Sequence, residues 1–326
     1  MCGLFGMIRS DSCAPEKATA MCVALGYLAE ERGLDSAGLA MATTRPTTEL
    51  TRSPVVSRRD TTAGGWRIIK GPGRFRTVWN KEYGAALNEA PAAIGHTRWA
   101  TQGGTGMLAN ASPLQVGQLI GTHNGDVDAW RLQRAFDLPK TVGDTDTEAV
   151  FQALDSEGGV IAPTLAVLEA VVGRAALVWT DRRWPGLMML ARTAVSPLAV
   201  TVDTDGNMYW ASNPGWFPRA ARAAGVTLKR DGIWLMPEGT LLLVDFSSGQ
   251  PTRAGMYDFT ATARAKDDRL ASLVAYRGFS KKDEMADRAG VAHVTLPAPR
   301  PAVTDDWRTP GPADSDDWRT PLWMTA

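Results

Sequence analysis

Apolar and polar positions divide this chain into short runs, and most of those runs carry a strand period rather than a helical one. Residues 2–9 read as a short apolar strand that begins at Cys2. In residues 15–32, Ala18, Met21, Cys22, Leu25, Leu28 and Ala29 recur at helical spacing, and Gly33 marks the helix end. Residues 38–42 start the next strand, and 66–70 is one of several strand-like pieces punctuated by Gly and Pro. Residues 93–98 form a strand that runs into a glycine-rich stretch at 102–106, and 119–123 form another, broken by Asn124-Gly125. Helices are expected over 128–136 and from a cap at Thr145 or Asp146 to Leu154. A hairpin over 175–180 and 187–192, a second pair over 198–202 and 208–212, and a strand at 241–246 follow. Strands outnumber long helices, which predicts an α+β layered architecture with antiparallel sheets.

The texture changes after Ser247. Residues 260–290 are charged, with room for one helix, and 297–326 are rich in Pro, Asp and Thr. The expected organisation is a main domain over 1–250, a charged and partly helical extension over 251–296, and a disordered tail over 297–326. The tail holds Asp305-Asp306-Trp307-Arg308-Thr309-Pro310, repeated as Asp316-Asp317-Trp318-Arg319-Thr320-Pro321. Two copies are too few for a stacked array but suit a pair of short docking motifs with an aromatic anchor each.

Lys plus Arg equals Asp plus Glu at 35 each, so charge favours neither nucleic acid nor an anionic membrane as partner. The chain has no apolar run long enough to span a bilayer and no secretory-type N-terminus, so no membrane association is expected. Cys2, Cys13 and Cys22 are odd in number and clustered early, which argues for a reducing, cytoplasmic setting. With three histidines (His96, His123 and His293) and no Cys-x-x-Cys pair, a metal site is not expected.

The candidate chemistry starts at Met1-Cys2-Gly3-Leu4-Phe5-Gly6. Removal of the initiator methionine would leave a thiol and a free α-amine on one residue, nucleophile and base together. Four further segments accompany it: residues 32–40 around Arg32-Gly33-Leu34-Asp35-Ser36, Gly95-His96-Thr97-Arg98-Trp99-Ala100-Thr101, His123-Asn124-Gly125, and Gly143-Asp144-Thr145-Asp146-Thr147-Glu148. Taken singly these are a surface arginine, a hairpin turn and a helix capping box. In this order behind a Cys-Gly start, the chain resembles the class II glutamine amidotransferases of the N-terminal nucleophile hydrolases. The likeness is greatest to the glutaminase half of glucosamine-phosphate synthase and runs from Cys2 to about Phe246.

That resemblance implies a four-layer αββα sandwich and hydrolysis of the side-chain amide of L-glutamine, with no cofactor. It casts Cys2 as nucleophile and the Asn124 side chain with the Gly125 N–H as oxyanion donors. Arg98 would hold the α-carboxylate, while Asp146 and the Gly125 carbonyl would hold the α-ammonium. Trp99, Thr101 and Gln102 would belong to a loop that closes over substrate, and Arg32 would steady the terminal strand. Asp35 and Ser36 would support the site, and His96 and His123 would be structural. Gln102 and Ser112 stand where that family tends to have histidine, which loosens the link to sugar-phosphate amination. The chain is expected to act as a separate glutaminase subunit whose ammonia goes to a partner synthetase or ligase. An amidase acting on another amide and a silent glutamine sensor are the alternatives.

Overall fold

The computed structural model describes residues 2–43, 59–63, 65–101, 103–264 and 280–289, with 59–63 given by backbone alone. The first half contains β1 (Gly3–Ile8), α1 (Pro15–Ala29), β2 (Ser36–Ala42), β3 (Arg59–Ala63), β4 (Trp66–Pro72), α2 (Phe75–Val78), α3 (Gly84–Glu89) and β5 (Ala92–Arg98). Next come β6 (Leu114–Val116), β7 (Leu119–Val127), α4 (Ala129–Ala135), α5 (Asp146–Glu157), α6 (Ala162–Ala170) and β8 (Gly173–Asp181). The remaining elements are β9 (Leu187–Arg192), β10 (Ala199–Val202), β11 (Met208–Ala211), α7 (Trp216–Ala224), β12 (Trp234–Leu235), β13 (Thr240–Asp245), β14 (Thr252–Asp258) and α8 (Lys281–Ala289).

Two antiparallel sheets form, one ordered β12-β10-β11-β1-β5-β2-β4-β3 and the other β14-β13-β9-β8-β7-β6. Strand alternation explains how they stack. On β1, Leu4 and Ile8 join a core shared with Ile120, Val178 and Leu190 of the second sheet, whereas Phe5 and Met7 face Leu25 of α1 and Trp216 of α7. On β8, Ala176 and Val178 point inward between the sheets, and Ala175, Leu177 and Trp179 pack on Phe151 of α5 and Leu168 of α6. Both central strands are buried on both faces, so their sequences read as continuous apolar runs. The result is the expected α+β sandwich of four layers.

Three elements differ from the sequence expectation. Asn124-Gly125 does not break a strand: β7 continues to Val127, because Asn124 and Gly125 pair with Ala176 and Ala175 of β8 across a close backbone approach. The helices α6 and α7 went unpredicted, α6 because its apolar residues surround it with no clear stripe and α7 because it is short. The second sheet also extends past residue 250, since β14 pairs with β13 along its length. A charged helix does occur in 260–290, as α8; Ser280 starts it, accepting a bond from the Asp283 N–H while its hydroxyl donates to the Asp283 carboxylate. The tail over 297–326, with its two repeats, lies outside the described residues.

Candidate active site

The site forms where the ends of two central strands meet, one from each sheet. Cys2 sits one step before β1, and the β1–β5 register pairs Gly3 with Thr97, which brings Cys2 opposite Arg98. Glycine is required at position 3, since a Cβ there would lie 2.6 Å from the Thr97 hydroxyl and 2.8 Å from the Ala29 carbonyl. From the other sheet, Asn124 on β7 reaches across: the Cys2 N–H donates to Asn124 Oδ1 at 3.0 Å. Arg32, in the turn after α1, donates from Nε to the Cys2 carbonyl at 2.7 Å. The Leu4 N–H donates to the Ser212 hydroxyl at 2.9 Å, which ties down the start of β1.

A narrow cleft is lined by Cys2, Arg98, Trp99, Thr101, Gly125 and Asp146, six of the residues singled out from sequence; Asn124 and Arg32 lie behind its wall. Gln102 lies outside the described residues. His96 and His123 are part of the cleft wall rather than remote from it. Burial lowers both imidazoles, His96 to about 3, so both are neutral near pH 7. His96 Nε2 lies 3.1 Å from the His123 carbonyl, and His123 Nδ1 lies 3.1 Å from the Thr147 hydroxyl.

The polar groups around Cys2 are arranged unevenly. With its Oδ1 held by Cys2, the Asn124 side chain leaves Nδ2 buried and, among the described residues, without a hydrogen-bond partner. A buried amide donor left unpaired is costly and needs a reason. The Val127 N–H leaves the sheet to bond Asp146 Oδ2 at 2.9 Å, and strand alternation puts the Gly125 N–H on that same side, facing the cleft. Gly125 has no positive φ. It is glycine because a Cβ would lie 1.9 Å from the Arg174 carbonyl oxygen. The unusual residue is there for close strand approach, not for a special backbone conformation.

Burial pushes the Cys2 thiol above its ordinary value, although Arg32 and Arg98 pull the other way. A thiol so placed stays protonated near neutrality and needs a base at hand. Its Sγ lies 3.6 Å from the Trp99 carbonyl, and Trp99, which lines the cleft, is 52% exposed. Burial likewise raises Asp146, which sits in the first turn of α5 and accepts a second bond from the Thr147 N–H at 2.9 Å. The expected capping box is not formed there: Glu148 reaches back to the N–H groups of Val142 and Gly143, each at 2.7 Å.

The loop after β5 is pinned from below. Arg98 donates to the carbonyls of Gly103 and Gly104 at 3.2 and 3.1 Å, and the Ala100 N–H donates to Asp35 Oδ2 at 2.8 Å. Asn110, overlooked in the sequence, joins this loop to the α5 side, donating to the Gly104 carbonyl at 3.1 Å and accepting from the Asp144 N–H at 2.9 Å. Arg174 was also overlooked. It is the second residue of β8, directly before the apolar run 175–179, and an arginine beside such a run was the available signal.

No family model matches the chain. Glutamine–fructose-6-phosphate aminotransferase (isomerizing) of Streptomyces coelicolor is 30% identical over 252 residues, which is 72% of this chain and 36% of that protein. The enzyme of the same description from Mycolicibacterium smegmatis is 29% identical over 215 residues, covering 62% of this chain and 33% of its own. The chain thus spans about a third of the length of the curated relatives it matches. Among solved structures, a glutamine phosphoribosylpyrophosphate amidotransferase from B. subtilis shares the fold, with a TM-score of 0.53 and 20% identity over 77% of this chain and 49% of that one. Sequence similarity and fold together identify this chain as carrying a glutaminase domain of the class II, N-terminal nucleophile glutamine amidotransferases.

Proposed function

We propose that the chain hydrolyses the side-chain amide of L-glutamine through a thioester on Cys2 and passes the ammonia to an acceptor. The observation that carries this reading is the buried Asn124 Nδ2, which has no partner among the described residues and belongs to the side chain that holds the Cys2 N–H, a donor set out for a charge that exists only during reaction. After removal of Met1, the α-amine of Cys2 takes the thiol proton, and the thiolate attacks the amide carbon. Negative charge develops on the former carbonyl oxygen, where Asn124 Nδ2 and the Gly125 N–H receive it. The Cys2 ammonium then protonates the leaving nitrogen, ammonia departs, and the γ-glutamyl thioester remains. Water, deprotonated by the same amine, hydrolyses the thioester and releases glutamate.

Arg98 and Asp146 line the same cleft as Cys2, and this supports a free amino acid as substrate over an acylated one. The carboxylate would take the Arg98 fork, in exchange for the loop carbonyls of Gly103 and Gly104, and the ammonium would take Asp146. Trp99, exposed and lining the cleft, would gate the loop and offer an aromatic anchor to a separate acceptor synthetase or ligase. Three unpaired thiols suit a cytoplasmic setting. The deciding experiment is intact mass before and after 6-diazo-5-oxo-norleucine. Loss of one methionine and a single adduct that Cys2→Ala abolishes are expected. Retained Met1 with no adduct would sink the mechanism.

A further inference from the structure

The described part of the charged extension ends in α8, whose only buried residue is Asp287, with no exposure at all. A nine-residue helix of this polarity is not stable alone, and it buries no apolar side chain that could dock it. Its surface pairs, Arg264–Glu284 at 3.2 Å and Arg288–Glu238 at 3.8 Å, are exposed and weak. Among the described residues, what holds α8 is therefore chiefly one carboxylate. Asp287 Oδ1 accepts from Arg32, and Oδ2 accepts from Arg174 Nη1 at 2.8 Å and from the Ser196 hydroxyl at 3.2 Å.

Both arginines lead directly to the reacting groups. Arg32 holds the Cys2 carbonyl through Nε at 2.7 Å. Arg174 Nη2 donates to Asp126 Oδ2 at 2.6 Å, next to Gly125, and the Arg174 backbone is what Gly125 packs against. Arg32 belongs to the turn between α1 and β2, and Arg174 to β8, so one carboxylate spans both halves of the sandwich. Arg32, Asp287, Arg174 and Asp126 alternate in sign with a net charge of zero, an arrangement that makes each one's position depend on its neighbours.

We propose that α8 is a clasp on the nucleophile: Asp287 couples the arginine that holds Cys2 to the arginine that braces the oxyanion strand, and is a positioning residue for glutamine hydrolysis. The inference rests on the glutaminase reading and extends it to a segment beyond the residues that carry the family likeness. Without the clasp, Arg32 and Arg174 repel and the Cys2 carbonyl loses its fixed anchor. Misplacement of that order slows chemistry without removing any group that touches glutamine.

The test is Asp287→Asn in the full chain, read by steady-state glutamine hydrolysis and by amide hydrogen exchange. The expected result is a kcat lower by about 10- to 100-fold per folded molecule with KM within about threefold. Exchange should quicken in peptides covering residues 2–8 and 119–127, while peptides of α1 and α7 keep their protection. In Asp287→Ala, added formate should recover part of kcat by refilling the space between the arginines. A kcat within about twofold of the parent, or unchanged exchange at both strands, overturns the clasp. Should the asparagine variant fail to fold, Asp287→Glu, which keeps the charge on a longer arm, is read by the same criteria. A parent protein without turnover counts against the glutaminase reading alone, because the exchange experiment still decides the clasp.

Discussion

Replacing Asn124 by alanine separates a group that works in the transition state from one that holds the resting protein together. In the ground state and among the described residues, the Asn124 side chain makes one bond, accepting from the Cys2 N–H at 3.0 Å, while its Nδ2 has none. Losing the bond costs about 0.5–1.5 kcal/mol, and deleting an unsatisfied buried donor returns about 1–3 kcal/mol, so the two offset and folding stability changes little. The barrier responds differently, because loss of one oxyanion donor costs about 2.7–4 kcal/mol, or about 10²- to 10³-fold in kcat. Glutamate release at saturating glutamine, beside thermal melting of the same preparations, measures both quantities. Asn124→Asp supplies the control. It keeps an oxygen for the Cys2 amine but puts a second acceptor where the donor stood, so its kcat should fall at least as far as that of Asn124→Ala. If the aspartate variant keeps wild-type turnover, Asn124 acts by holding Cys2 and not by receiving the oxyanion, and the reasoning fails.

Three other expectations come from the same geometry. Gly125→Ala places a methyl 1.9 Å from the Arg174 carbonyl, so β7 and β8 must separate; a loss of about 3 kcal/mol in urea unfolding is expected, and an unchanged midpoint would contradict the close approach. Arg98→Lys removes the two-pronged fork and should lower kcat/KM for glutamine by about 10- to 100-fold, mostly through KM; a pure kcat effect would point away from carboxylate binding. Burial holds His96 near 3 when folded against an ordinary 6.5, so the unfolded chain binds the extra proton first. The contribution of His96 to stability is complete above about pH 6.5 and falls by about 1.4 kcal/mol per pH unit toward 3. His96→Gln should make the decline shallower by about one proton, leaving the part due to His123; equal slopes in the two proteins would count against burial as the cause.

The residues lining the cleft were legible only together: singly, an arginine ending a strand or an acid opening a helix has ordinary uses, but in this order behind a Cys-Gly start they carry a family resemblance. The central strands were equally plain, since burial on both faces leaves apolar runs that survive without any knowledge of neighbours. Asn124-Gly125 misled because the same pair that makes hairpin turns also fits a strand whose neighbour comes too close for a Cβ. The capping reading of Thr145–Glu148 failed for a related reason: Glu148 satisfies the Val142 and Gly143 amides, a contact that local spacing does not favour over the box.

Asp287 illustrates the deeper limit. In sequence it is one acid in a run of alternating charges, and it lies 255 residues from Arg32 and 113 from Arg174. Its burial depends on where α1, β8 and the loop at Ser196 converge. The chain by itself determined the α+β class and, through the family resemblance its ordered motifs carry, the kind of chemistry and the four layers, because residue type, order and apolar periodicity are local properties. Which donors stay unpaired and which charges are buried together was decided by tertiary structure, because desolvation and pairing arise only when strands distant in sequence are brought into contact.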